Sequence, residues 1–183
     1  MSILIDKKTK VIVQGITGTQ ASFHMQRAIK YGTNVVAGVV PNKKETKYLG
    51  IPLFSTVKEA KKETGATASI IFVPANFAKN AILEAIEAEI ETVVIITSGI
   101  PVNDMMEVKQ KLSNSNTLLI GPNTPGVMTP KQAYLGIFPD DIQNWAIEYC
   151  IHYHNEHCKT QYCNYKCGIK FKHLSSLLFN ENQ

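Results

Sequence analysis

The first 149 residues contain no cysteine, the whole chain has a single tryptophan, and no hydrophobic run is long. The cysteine distribution argues against a disulfide framework as the basis of the fold. A membrane-spanning helix needs roughly 18 or more consecutive apolar residues, and no stretch approaches that. The opening residues, Met1-Ser2-Ile3-Leu4-Ile5-Asp6-Lys7-Lys8, form neither an apolar signal core with a small-residue cleavage site nor an Arg- and Ser-rich transit segment. The expected setting is therefore the cytoplasm, with the mitochondrial matrix as the alternative. Charge of one sign is also scarce: 19 basic against 15 acidic residues leave a formal net charge of +4. That excess suits a protein that meets phosphates and is too small to argue for nucleic acid.

What is present is a regular alternation. Hydrophobic residues make up 44% of the chain and charged residues 19%, enough for one packed domain. The β-branched run Lys10 to Gly15 reads as a strand. The segment Thr19 to Tyr31 lacks Pro and Gly and carries Phe23, Ala28 and Ile29 as its apolar positions, so it reads as a helix that Gly32 ends. Strands follow at 35–40, 69–73, 92–96 and 117–120, with a brief extended piece at 51–54. Helices are expected at 57–63, 76–88 and 104–112. Thr56 and Glu59 form a capping box for the first of these, and Ala78, Ile82, Leu83 and Ile86 recur at helical spacing in the second. Strands apolar throughout, alternating with amphipathic helices, describe an α/β fold with a mainly parallel sheet covered on both faces. Ligands of such sheets bind at the carboxyl ends of the strands.

The first strand ends in Gly15-Ile16-Thr17-Gly18-Thr19-Gln20-Ala21. Two glycines at a strand-to-helix turn let backbone approach a ligand, and the helix start aims free N–H groups and a positive dipole end at a phosphate. An NAD site wants an acid some 20 residues later for the ribose hydroxyl. Here the second strand runs out into Pro41-Asn42-Lys43-Lys44, with two cations and no acid. That favours a phosphorylated ribose and leaves NADP and coenzyme A both open. Three further strand ends, 73–76, 96–101 and 121–126, mix Pro or Gly with small hydroxyl and amide residues, as a lined cleft would.

Several segments carry a closer likeness. Ser2-Ile3-Leu4-Ile5-Asp6-Lys7, Gln14-Gly15-Ile16-Thr17-Gly18, Phe23-His24, Ala28-Ile29, Tyr31-Gly32-Thr33, Thr56-Val57-Lys58-Glu59-Ala60, Thr64 to Ser69, Ile82 to Ile86 and Gly121-Pro122-Asn123 resemble the amino-terminal domain of the succinate–CoA ligase α subunit. The resemblance covers residues 1–139 and implies a Rossmann-like domain that binds coenzyme A. It implies that Thr17, Gly18, Thr19 and Gln20 hold the phosphates and Lys43 the nucleotide end. By the same likeness Ile96, Thr97 and Ser98 line the pantetheine path, and Asn123 and Thr124 lie near the thiol. It also implies a β-subunit partner that brings Mg²⁺ and nucleotide to the reaction joining succinate to coenzyme A through a phosphohistidine. The sequence departs from the family at Ala21 (Gly there), across Pro41 to Glu45 (Pro-Gly-Lys-Gly-Gly), at Ser98 (Glu) and at Thr124 (Cys). No match follows to the family's second domain with its phosphorylated histidine, so a chain not competent alone is expected. The alternative functions are a stand-alone NAD(P)-binding or redox-sensing protein, or a metal-binding interaction protein acting through the Cys/His tail.

Residues 140–183 change in texture. All four cysteines and four of the five histidines lie there, among tyrosines, with no clean period. Cys150, Cys158, Cys163 and Cys167 lack the paired spacing of common zinc modules, so an irregular tail is expected rather than a metal site or a metal-dependent interaction module.

Overall fold

A computed structural model describes residues 4–41 and 45–138. The segment expected to form an irregular tail lies outside these residues, and so does Lys43. The elements run β1 (Lys10–Gln14), α1 (Thr19–Tyr31), β2 (Asn34–Val39), β3 (Lys47–Tyr48), β4 (Ile51–Phe54), α2 (Val57–Thr64), β5 (Ala68–Ile71), α3 (Ala75–Glu87), β6 (Thr92–Ile95), α4 (Val102–Leu112), β7 (Leu118–Ile120), β8 (Gly126–Thr129) and β9 (Ala133–Gly136). Seven strands form one sheet in the order β3-β4-β2-β1-β5-β6-β7, parallel except where β3 returns antiparallel on β4.

This is the doubly wound α/β arrangement that the alternation predicts. The chain moves outward from β1 through β2 to β4, then crosses back to β5 on the other side of β1. The reversal puts a switch point between β1 and β5, where loops leaving the two strands diverge and open a crevice. Alternate residues of the sheet feed two cores. Val11, Val13, Ile70 and Val94 pack with Met25 and Ala28 of α1 on one face. Ile12, Ile71, Val93 and Ile95 pack with Val57, Ala60, Ala81, Ile82, Ala85, Ile86 and Val108 on the other.

Local signals hold well at the helix ends. Thr56 Oγ1 accepts from Glu59 N–H (3.2 Å) at the start of α2, while the Glu59 carboxylate reaches back to Ser55 N–H (3.2 Å) rather than to Thr56. Gly32 ends α1 with φ 120°, its N–H donating to the Ala28 and Ile29 carbonyls.

Two features differ from expectation. The buried stripe of α1 is Ala21, Met25 and Ala28, whereas Phe23 and Ile29 are exposed. Positions 21, 25 and 28 recur at four and three residues and share one helix face; 23 lies on the opposite side, and 29 at the face's edge. Phe23 is instead covered on the surface by the Arg27 guanidinium, 4.8 Å from its ring centroid.

The second feature is the antiparallel pair β8–β9, which the sequence reading leaves without structure. All eight of its residues are buried, so it shows no in-out alternation to read. It closes the α1 face of the sheet. Tyr134 is fully buried, its ring 5.3 Å from Tyr31 and 6.0 Å from Phe138 in edge-on contacts. Thr33 Oγ1 both donates to the Tyr134 carbonyl (2.9 Å) and accepts from its N–H (3.0 Å). Among the described residues no helix is long and apolar enough to cross a membrane.

Candidate functional site

The turn after β1 is built from below. Ile16 is fully buried, and its side chain occupies the space over Gly38 of β2, where an added Cβ would stand 2.7 Å from Ile16 Cγ2. Gly15, at φ 81°, lies close against the segment just past β5, where an added Cβ would stand 3.1 Å from Val73 Cγ1. Gly15 N–H extends the ladder to the Val39 carbonyl (3.0 Å), and Gly18 N–H closes the turn on the Gly15 carbonyl (3.1 Å). With Ile16 pointing into the core, Thr17, Gly18, Thr19 and Gln20 are all exposed above it. A Cβ at Gly18 would meet only the Gly15 carbonyl oxygen, at 3.4 Å. The space over the turn is open.

The helix ends at this edge of the sheet are not alike. α2 has its Thr56 cap and Glu59 in the first turn, and α4 has Asp104. α1 and α3, which follow the two strands flanking the switch point, have neither a side-chain cap nor an acid in the first turn. The opening N–H groups of a helix lack intrahelical acceptors. Those of α1 and α3 are therefore left with their positive dipole ends uncompensated by side-chain caps or first-turn acids.

The other strand ends are tied into one ledge. Thr97 Oγ1, past the end of β6, donates to the Val73 carbonyl past β5 (2.6 Å). The Thr97 carbonyl in turn accepts from Asn123 N–H past β7 (3.1 Å). With Gly15 against Val73, the loops of β1, β5, β6 and β7 are joined in a continuous row. Ile96 is half-buried and packs on the α1-side core, Ser98 is exposed, and Asn123 is exposed with φ 55°. Thr124 is different: it is 3% exposed and its hydroxyl accepts from Gly126 N–H (3.1 Å). The structure thus brings together nine of the residues expected at the site along one edge, with Thr97 and Thr124 holding the loops by their hydroxyls.

His24 points elsewhere. It sits on α1 with Nδ1 buried and without a hydrogen-bond partner, and its ring meets Phe23 edge-on at 5.0 Å. Burial, and secondarily the Arg27 charge, hold its pKa below the ordinary histidine range. The folded protein therefore favours neutral His24. Its contribution to stability is complete above the ordinary histidine value of about 6.5, taken for the unfolded chain, and is lost as pH falls toward the depressed folded value. Acidification from pH 7.5 to 5.5 is expected to cost the wild type more unfolding free energy in urea than it costs His24→Phe. Equal losses would show that His24 does not titrate abnormally.

The family model of the CoA binding domain matches residues 6–99. The chain belongs to the CoA-binding domain family. It is 58% identical over 144 residues to the succinate–CoA ligase [ADP-forming] α subunit of Aquifex aeolicus, covering 78% of this chain and 47% of that one. It is 49% identical over 142 residues to the α subunit 2 of Archaeoglobus fulgidus, covering 78% and 50%. The chain thus spans about half the length of the curated relatives it matches. Among solved structures, ATP citrate lyase from Methanothrix soehngenii in complex with citrate and coenzyme A superposes with a TM-score of 0.63 at 22% identity, over 73% of this chain and 24% of that one. At that identity the likeness concerns the fold.

In this CoA-binding domain the sequence reading missed the residues that support the turn from outside it. Ser22 Oγ donates to the Ile16 carbonyl (3.0 Å), and the Tyr48 hydroxyl lies 2.6 Å from Ser22 Oγ. Val73 stands at the centre of the ledge. The serine could have been sought from its place one turn into α1. Tyr48 had no local signal, because its strand is two residues long. Among the described residues no cluster of His, Cys, Asp or Glu could hold a metal ion.

Proposed function

We propose that this chain binds coenzyme A in the crevice between β1 and β5, as the coenzyme-binding part of a succinate–CoA ligase α subunit. The observation that carries the reading is the open, acid-free start of α1 behind Gly15 and Gly18, in a domain of the CoA-binding family. The coenzyme's diphosphate would meet the exposed turn Thr17 to Gln20, where free backbone N–H groups and the Thr17 and Thr19 hydroxyls can donate to it. Lys43 would meet the 3′-phosphate at the nucleotide end. Ile96 and Ser98 would flank the pantetheine along the ledge held by Thr97, with Asn123 nearer the thiol. Thr124 would act by fixing the loop rather than by touching the coenzyme.

In the complete reaction this domain would present coenzyme A, while a β subunit would bring nucleotide and Mg²⁺. Succinate, coenzyme A and nucleoside triphosphate would give succinyl-CoA, nucleoside diphosphate and phosphate. A phosphoryl relay through histidine needs an acceptor placed between two sites. Half-buried His24, the one histidine among the described residues, has neither the exposure nor the neighbours for that role.

Titration calorimetry of the 183-residue chain is expected to give saturable binding of coenzyme A, with weaker binding of dephospho-coenzyme A. Equal affinity for the two would remove Lys43 from its assigned role. Absence of binding, or a preference for NADP over coenzyme A, would overturn the proposed function.

A further inference from the structure

The bonds beneath the turn form a directed chain. The single proton of Ser22 Oγ goes to the Ile16 carbonyl, so the short contact to Tyr48 must use the tyrosine's proton. The order is Tyr48 O–H to Ser22 O–H to Ile16 C=O. The Ile16 carbonyl and the Thr17 N–H belong to one planar trans peptide, in which the two groups point in opposite directions. Drawing the carbonyl toward Ser22 therefore turns the Thr17 N–H to the side of the peptide away from Ser22, and Thr17 is an exposed residue. The buried Ile16 side chain, seated over Gly38, prevents the residue from rotating as a whole.

Tyr48 is well placed to impose this. It is the last residue of β3, held antiparallel to Ile51 of β4, and its ring packs on the core shared with α1. Its hydroxyl thus connects the sheet's outer strands to the peptide at the ligand edge of β1. The hydroxyl chain also places the donors in series, which strengthens each bond by polarisation.

We propose that Tyr48 is a positioning residue for coenzyme A: through Ser22 it fixes the Ile16–Thr17 peptide so that the Thr17 N–H faces the diphosphate before the ligand arrives. This rests on the reading that the chain binds coenzyme A.

The test uses the full chain with Tyr48→Phe, Ser22→Ala, the double variant and Ser22→Thr. Tyr48→Phe keeps the packed ring and removes only the proton donor. Each of the first two is expected to weaken coenzyme A binding about five- to tenfold, less than the loss of a whole hydrogen bond to a charged group, because the Thr17 N–H is misdirected rather than removed. The double variant should be no worse than either single one, and Ser22→Thr should restore wild-type affinity. Affinity within twofold of wild type for both Tyr48→Phe and Ser22→Ala, or additive losses in the double variant, would overturn the proposal. A second readout is independent of ligand: the Thr17 amide resonance of the free protein should move in Tyr48→Phe and in Ser22→Ala alike, and return in Ser22→Thr. An unmoved Thr17 amide overturns the relay even if the wild type binds no coenzyme A, whereas a moved amide with no wild-type binding supports the relay and sinks only the functional reading.

Discussion

Gly18→Val is expected to abolish coenzyme A binding while leaving the fold nearly unchanged. Gly18 caps α1 at φ −66° and ψ 145°, an extended conformation that valine adopts without strain. Its Cβ would meet only the Gly15 carbonyl oxygen, at 3.4 Å, an ordinary contact for a real side chain. Nothing in the core is displaced, so the thermal midpoint should stay within a few degrees of wild type. The branched methyl groups would instead fill the space above the turn and hold a diphosphate away from the α1 amides. Charge-assisted bonds to those amides are lost together, so the affinity loss should be on the order of 100-fold or more, about 2.7 kcal/mol. Calorimetry with coenzyme A and a thermal melt on the same sample measure both halves of the statement. Retained binding would mean that the ligand does not use the space over Gly18. A collapsed fold would mean that the turn is packed more tightly than its contacts imply.

Gly126→Ala should have the opposite signature, a large loss of stability rooted away from the crevice. Gly126 opens β8 at φ 115°, where side chains are strained, and an added Cβ would fall onto the Leu135 carbonyl oxygen of the paired strand and stand 2.5 Å from Gly136 Cα. These are backbone atoms in a ladder that ties Val127 to Leu135 and Met128 to Tyr134. Relief requires the two strands to separate. That separation would expose Tyr134 and break its paired bonds with Thr33, on the face that covers α1. The expected cost is about 3–5 kcal/mol, the range of severe backbone and core changes, read as a fall of roughly 10 °C or more in the melting midpoint. A fall below about 3 °C would show that β8–β9 is not an integral part of this core.

The two substitutions separate what glycine does in this chain. At position 18 it leaves the space over the turn open, and at 126 it lets two backbones touch. The printed residue is the same, and composition does not distinguish them. The distinction lies in what stands within a few ångströms, which is set by residues 3 positions away in one case and 9 in the other.

Much of the fold was legible because its information is local. The β-branched runs of β1, β5 and β6, the Thr56–Glu59 start of α2 and the Gly32 stop of α1 are each specified by neighbours in the chain. Ligands of parallel sheets bind beyond the carboxyl ends of the strands, so the alternation alone indicated which edge to expect them at, while the strand order and its reversal at β1 and β5 came from the structure. The glycine turn and the exposed run Thr17 to Gln20 belong to this legible part, and so does the family likeness that named the coenzyme.

The tertiary structure alone decided the rest. Phe23 and Ile29 of α1 look like core residues until the helix is set against the sheet on the face of Met25 and Ala28. The β8–β9 pair is buried on every residue and so lacks the alternation that marks a strand in sequence. Tyr48 and Ser22 are 26 positions apart, and their hydroxyls meet only because β3 folds back on β4 beside the start of α1. Sequence patterns report which face of an element avoids water, because that periodicity is short. They do not report which polar atoms will meet, because such a bond needs two distant backbones placed to within a fraction of an ångström, and only the packed core supplies that placement.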